Sequence, residues 1–212
     1  MTWDEYATAW SKLHGGFDPR EASAVVRGWV LSAYRIGSFL GRKRISPLSV
    51  TIAGVVLCLA VPLAALGGSV GLAAGALLVL LAAMADGLDG AVAVVTGRVS
   101  RAGFVLDSVA DRVGELGWLA AFWVAGAPGP LVVAAGAASW LHEYVRARAV
   151  AGGMAEIGAV TVGERPTRVS VAFTGLVFGA LGVPMTVFAA AWLLLQSIGF
   201  AQLIFAVRRA LR

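Results

Sequence analysis

Apolar residues along this chain gather into long stretches separated by short breaks of glycine, proline and charge. A helix crossing the hydrocarbon of a bilayer needs about 20 residues. Stretches near 50–67, 71–95, 103–126, 129–151, 169–184 and 185–207 approach that length and predict six transmembrane helices. The last two are divided only by Gly182, Val183 and Pro184. Pro184 lacks a backbone donor and favours a helix end there, with one long kinked helix as the alternative. Ahead of the first span, residues 20–44 mix Val26, Trp29, Val30, Tyr34 and Phe39 with Arg27 and Arg35 at near-helical spacing. That pattern predicts an amphipathic helix in the membrane interface, arginines toward lipid phosphates and aromatics at headgroup depth. A solvated arm is the alternative. The expected fold is therefore all-α integral membrane, with 1–45 as arm and interfacial helix and 46–212 as a six-helix transmembrane domain.

Composition agrees with this pattern. The chain is 59% hydrophobic and only 14% charged, which excludes an ordinary soluble domain. Its 17 lysines and arginines fall between Lys12 and Arg44, at Arg98, Arg101 and Arg112, between Arg146 and Arg168, and at Arg208, Arg209 and Arg212. The breaks at 67–71, 125–129 and around Pro184 carry none. The positive-inside rule then places the charged loops and both termini in the cytoplasm, which requires an even number of spans. The opening MTWDEYATAW has no apolar core with a cleavage site, so no removable signal peptide is expected. The single Cys58 lies in an apolar run and reads as packing. No nucleic-acid partner is expected.

The chemistry lies in the carboxylates. Asp86, Asp89, Asp107, Asp111, Glu115 and Glu143 fall within or at the ends of apolar stretches. Four aspartates facing lipid would cost on the order of 10–14 kcal/mol, so they must face one another or a cation. Asp86 and Asp89 share one helix face, as do Asp107 and Asp111, and a short loop makes their helices antiparallel neighbours. Four carboxylates at similar depth would repel unless a divalent cation neutralised them. All-oxygen ligation without Cys or nearby His points to Mg²⁺, Mn²⁺ or Ca²⁺. Two ions at roughly 3.5–4 Å, as in two-metal phosphoryl-transfer sites, would suit the set. Gly87, Gly90 and Gly103 keep the surroundings open to a bulky ligand. The alternatives are pairing of some aspartates with Arg98, Arg101 or Arg112, and an ion transporter with a carboxylate-lined path.

Residues 86–111 read DGLDGAVAVVTGRVSRAGFVLDSVAD. They resemble the signature of the CDP-alcohol phosphotransferase (CDP-alcohol phosphatidyltransferase) family: Asp, two residues, Asp-Gly, two residues, Ala-Arg, eight residues, Gly, three residues, Asp, three residues, Asp. Asp86, Asp89, Gly90, Ala93, Gly103, Asp107 and Asp111 fall in register; the arginine is replaced by Val94. Ser46, Pro47 and Thr51 resemble the family's start of the first span, with Leu48 in place of Asn. The resemblance implies six spans, a homodimer in the cell membrane with a cytoplasmic active site, and a CDP-diacylglycerol-dependent phosphatidyltransferase of phospholipid biosynthesis that releases CMP. It implies Mg²⁺ or Mn²⁺, two ions, on Asp86, Asp89, Asp107 and Asp111. Asp111 would be the general base, with Asp107 beside it as the second catalytic carboxylate, and Gly90, Ala93, Gly103, Thr51, Arg98 and Arg101 would form the CDP site. The last two arginines could substitute for the missing one at Val94.

HEYVRARAVAGG at 142–153 and GERPTR at 163–168 resemble stretches of the actinobacterial phosphatidylinositol-phosphate synthases. The resemblance implies acceptor-phosphate contacts from Arg146, Arg165 and Arg168, whose guanidinium forks suit phosphate. Alternatively, Arg146, Arg148 and Arg168 are positive-inside anchors. Where those synthases have Gln-Arg, this chain has Gln202 and Leu203. Inositol phosphate and glycerol 3-phosphate are the expected acceptors, with phosphatidylglycerol, as in a cardiolipin synthase, as the alternative. An inactive lipid-binding homologue is the remaining one. His142 and Glu143 are expected to form a satisfied polar pair.

Overall fold

The computed structural model describes residues 1–155 and 160–212. Its regular structure consists of α1 (Trp3–Leu13), α2 (Ala24–Arg42), α3 (Pro47–Ala65), α4 (Gly68–Thr96), α5 (Arg101–Val124), α6 (Gly129–Ala151), α7 (Arg165–Ala180) and α8 (Met185–Ala210), with no strand among the described residues. The last six helices coincide with the six apolar stretches. Among the described residues, α3, α4 and α8 alone are long and apolar enough by themselves to cross a membrane. The reasons the other three differ are local: α5 and α6 carry the ionisable residues at 101–115 and 142–148, and α7 has 16 residues. On α3, Leu48, Ile52, Val56, Leu59 and Leu63 form an exposed stripe at helical spacing. A continuous apolar stripe of this kind belongs against lipid, and the protein is a membrane protein.

α7 and α8 are separate helices. α7 stops at Ala180, Gly182 adopts φ 93°, and Pro184 caps α8, so the chain breaks where the glycine and proline sit.

The chain divides into two compact units, Met1–Val56 with Leu81–Asp111, and Leu57–Leu80 with Arg112–Arg212. In the first unit, α1 is an element the apolar pattern does not announce. Thr2 and Glu5 form a reciprocal capping box that starts it. Tyr6 of α1 and Val30 of α2 are buried with Ala91 and Val94 of α4, and Trp3, Trp10 and Tyr34 pack against them. The Tyr34 hydroxyl donates to the Met1 carbonyl at 2.8 Å. Burial pushes the Tyr6 phenol up to about 12. α2 approaches α4 closely at Gly37, where a Cβ would lie 3.1 Å from that of Ala91. Its other face exposes Val26, Trp29, Ile36 and Phe39, the amphipathic arrangement an interfacial helix requires.

The second unit is built on α6, α7 and α8 with the remaining parts of α3, α4 and α5. Trp118, Phe122, Leu176, Trp192 and Leu203 are large apolar side chains buried in it. The indole of Trp192 donates to Ser139 Oγ at 2.9 Å, which satisfies its polar edge inside the core. Cys58 is buried, with Gly114 and Gly117 of α5 against it, in the packing role expected.

Candidate active site

The hairpin joining α4 to α5 sets the geometry of the first unit's carboxylates. Gly97 takes φ 65° after α4, and the N–H groups of Gly97 and Arg98 bond back to the Val94 and Ala93 carbonyls at 3.2 and 2.8 Å. This is a Schellman stop. Ser100 Oγ then accepts from the Gly103 N–H at 3.0 Å and starts α5. A stop and a start this close return the chain at once, so the aspartates of α4 and α5 lie a few turns either side of one bend.

Asp86, Asp107 and Asp111 each offer a carboxylate oxygen, and those oxygens all lie within 4.8 Å of one another. Three like charges at this separation form a set suited to a hard divalent cation. Asp89, one turn along α4 from Asp86, is buried, and its Oδ2 accepts from the Thr51 hydroxyl at 2.6 Å. Asp89 is not among the three whose oxygens converge. Thr51, expected from the resemblance to contact the nucleotide, is thus placed to orient Asp89.

Of the other residues expected at a CDP site, Gly90 has open space where a Cβ would be, and Ala93, one turn on, is half-buried. Gly103 lies over Ser100 Oγ, and Arg98 and Arg101 are exposed at the hairpin. Gly87 lies under the Trp29 indole, one wall of an apolar crevice completed by Ser32, Ala33, Ile36, Met84 and Leu88. Val94 is buried in one cluster with Tyr6, Val30 and Ala91.

The second unit holds the three arginines expected to take the acceptor. Arg168 is 1% exposed and is bonded to Glu115 at 3.0 Å and to Glu143 at 2.6 Å. Arg112 bonds the same two glutamates at 2.9 and 3.1 Å. Two arginines and two glutamates from α5, α6 and α7 therefore close a ring in which Arg168 and Glu115 are buried and Arg112 and Glu143 half-buried. Arg146 pairs with Glu164, whose Oε1 also accepts from the Thr161 N–H and hydroxyl at 2.9 Å each. Arg165 lies over the Trp118 ring, 6.0 Å from its centroid.

The loop before α7 is pinned from several sides. Gln196 donates to the Gly163 carbonyl at 3.1 Å, the Val162 N–H donates to Gln202 at 2.9 Å, and His142 Nε2 meets Thr161 Oγ1 at 3.0 Å. Gly199 allows the contact, since a Cβ there would lie 2.5 Å from the Gly163 nitrogen. His142 Nε2 serves Thr161, while His142 Nδ1 lies 3.8 Å from Glu143 Oε1, the expected polar pair, with Glu143 also bonding the arginines. The ring had no local signal, because its members come from three helices.

The sequence model of the family described as CDP-alcohol phosphatidyltransferase matches residues 44–207. A phosphatidylinositol phosphate synthase of Mycobacteroides abscessus is 37% identical over 128 residues, 57% of this chain and 57% of that protein, so the chain matches little more than half the length of this curated relative. The crystal structure of Mycobacterium tuberculosis phosphatidylinositol phosphate synthase with CDP-DAG bound matches with a TM-score of 0.69 and 28% identity, covering 82% of this chain and 92% of that one. The same synthase in complex with manganese and citrate matches with a TM-score of 0.68 and 27% identity, covering 83% and 88%. Together with the aspartate cluster, the manganese-bound match supports divalent-metal binding here.

Proposed function

The chain belongs to the CDP-alcohol phosphatidyltransferase family, and from that premise we propose that it transfers a phosphatidyl group from CDP-diacylglycerol to the hydroxyl of a phosphate-bearing acceptor, with release of CMP. The observation that carries this is the convergence of the Asp86, Asp107 and Asp111 oxygens within 4.8 Å. With Asp89 they would hold two Mg²⁺ or Mn²⁺ ions. Bound there, the metal would offset the charge of the donor's diphosphate and of the CMP leaving group.

The protein's own residues do the rest. Thr51 orients Asp89 through its 2.6 Å bond. Gly90 leaves room for the nucleotide, with Ala93, Gly103, Arg98 and Arg101 around it. Asp111 takes the acceptor's hydroxyl proton. The acceptor oxygen forms its bond to the lipid-linked phosphorus as the bond to CMP breaks, its electron pair leaving with CMP. Arg146 and Arg165 receive the acceptor's phosphate, while Arg168, enclosed by Glu115 and Glu143, acts by positioning α7. Inositol phosphate and glycerol 3-phosphate are acceptors of the relevant kind. Phosphatidylglycerol is a second reading, favoured by Leu203, fully buried in an apolar cluster where a further basic group is missing. The working unit is a homodimer in the cell membrane, with six spans and with both termini and the active site cytoplasmic. Ion transport finds no support in the family membership.

The test is CMP release by the purified protein in lipid with CDP-diacylglycerol, Mg²⁺ or Mn²⁺, and each acceptor in turn. Absence of CMP with every acceptor would sink the proposal.

A further inference from the structure

Glu164 stands at the N-cap of α7, yet its side chain makes no capping bond to that helix. Pro166 in the first turn has no N–H, which leaves a cap less to satisfy. The carboxylate is turned instead to three donors, all on Oε1: Arg146 Nη2, the Thr161 N–H and the Thr161 hydroxyl. All of these groups belong to the second unit.

The hydrogen bonds around Thr161 settle which way each proton points. An ionised carboxylate only accepts, so the single hydroxyl proton of Thr161 is directed at Glu164. The hydroxyl oxygen keeps two lone pairs, and two nitrogens face it: the Gly163 N–H at 3.2 Å and His142 Nε2 at 3.0 Å. The Gly163 N–H can only donate. His142 Nε2 must donate as well, because the hydroxyl has no second proton to offer, so Nε2 carries a hydrogen. His142 is 0% exposed and Thr161 7%, which keeps bulk water from competing for these bonds.

We infer that His142 is a positioning residue for the acceptor: its Nε2–H fixes the Thr161 hydroxyl, the hydroxyl orients Glu164, and Glu164 sets the Arg146 guanidinium. This rests on the proposal that Arg146 receives the acceptor's phosphate. A planar guanidinium takes its direction from the carboxylate it meets, so the hold on Glu164 decides how Arg146 is presented. Enclosed as it is, His142 acts only through Thr161 and Glu164.

The experiment uses the full chain in vesicles containing CDP-diacylglycerol and Mn²⁺. Inositol phosphate, glycerol 3-phosphate and phosphatidylglycerol are each tried, and the acceptor giving the fastest CMP release is carried forward. His142→Leu keeps apolar bulk and removes the donor; it should raise KM for that acceptor about three- to ten-fold, the range for one lost hydrogen bond. Its kcat and its KM for CDP-diacylglycerol should stay within about two-fold of wild type. His142→Gln, whose amide N–H reaches the place of Nε2, should bring the acceptor KM back. Thr161→Val should raise the same KM, and adding His142→Leu to it should change it by less than about two-fold, because the histidine works through the hydroxyl.

A merely structural role would lower kcat through the active fraction and leave the acceptor KM unmoved, which overturns the inference. So do a rise in both KM values together and effects that multiply in the double variant. An arm independent of activity is nitrogen-15 NMR of the histidine-labelled protein, which has only His14 and His142, with His142→Gln assigning the signals. Wild type should show a proton on His142 Nε2; a bare Nε2 overturns the inference even if the other variants fail to fold. These failures leave the phosphatidyltransferase reading intact. No CMP from wild type with any acceptor removes that reading, and this inference with it.

Discussion

Both units carry carboxylates on apolar helices, and they handle them in opposite ways. The first unit brings Asp86, Asp107 and Asp111 together, like charge against like, with oxygens within 4.8 Å. The second interleaves Glu115 and Glu143 with Arg112 and Arg168 at 2.6–3.1 Å, so its charges balance within the fold. An ionised side chain is costly in a low-dielectric interior in either case. The difference teaches how to separate chemistry from architecture: converging like charges are suited to binding a hard cation, whereas alternating charges hold helices in place.

The contrast predicts opposite responses to equivalent substitutions. The largest effect is expected from Asp111→Asn, which should lower CMP release about 10²–10⁴-fold, the usual contribution of a general base. Saturating Mn²⁺ should stabilise the wild type by about 2.7 kcal/mol at a hundredfold excess over Kd and stabilise this variant far less. Unchanged turnover would end the assignment.

Glu115→Gln probes the other side. It leaves Arg168, 1% exposed, with an incomplete set of carboxylates, and breaking a buried pair in this way costs about 3–5 kcal/mol. Denaturant unfolding in detergent measures it. A Glu115 variant as stable as wild type would show that the ring does not hold α5, α6 and α7.

A smaller effect is expected from Thr51→Val, which removes the 2.6 Å bond to Asp89 without touching the converging trio. Loss of an outer partner of a ligand lowers metal affinity about 10–100-fold, seen as a shift in the Mn²⁺ concentration for half-maximal activity. An unmoved Mn²⁺ dependence would separate Asp89 from the metal site.

The smallest effect concerns α1. Folding raises the Tyr6 pKa from 10.0 to about 12, so the buried neutral phenol contributes its full stability below pH 10 and loses it as pH rises toward 12. Phenolate absorbance should show one tyrosine titrating late, and Tyr6→Phe should abolish that component. Equal titration of all three tyrosines would place Tyr6 outside the packed cluster.

Much of this was legible in the chain because it depends on neighbours in sequence. The aspartate pairs sit three and four apart around one short loop, which alone puts them on facing helices. The apolar stretch at 129–151 is α6 to the residue. α1 went unread, although Thr2 and Glu5 carry its capping signal, because it is short and has no long apolar run. The replacement at Val94 was visible, but its burial under Tyr6 was not, since that contact joins residues far apart in the chain.

The charge pattern and its spacing thus determined by themselves that this is a helical membrane protein with a hard-metal set on two adjacent helices. Only the tertiary structure decided which arginines are enclosed. Arg146, Arg165 and Arg168 look alike in the sequence, as basic residues near helix ends. Packing joins Arg168 to glutamates on two other helices, pairs Arg146 with a loop carboxylate and lays Arg165 over Trp118. A side chain's charge is written in the sequence, but its neutralisation depends on which helices meet.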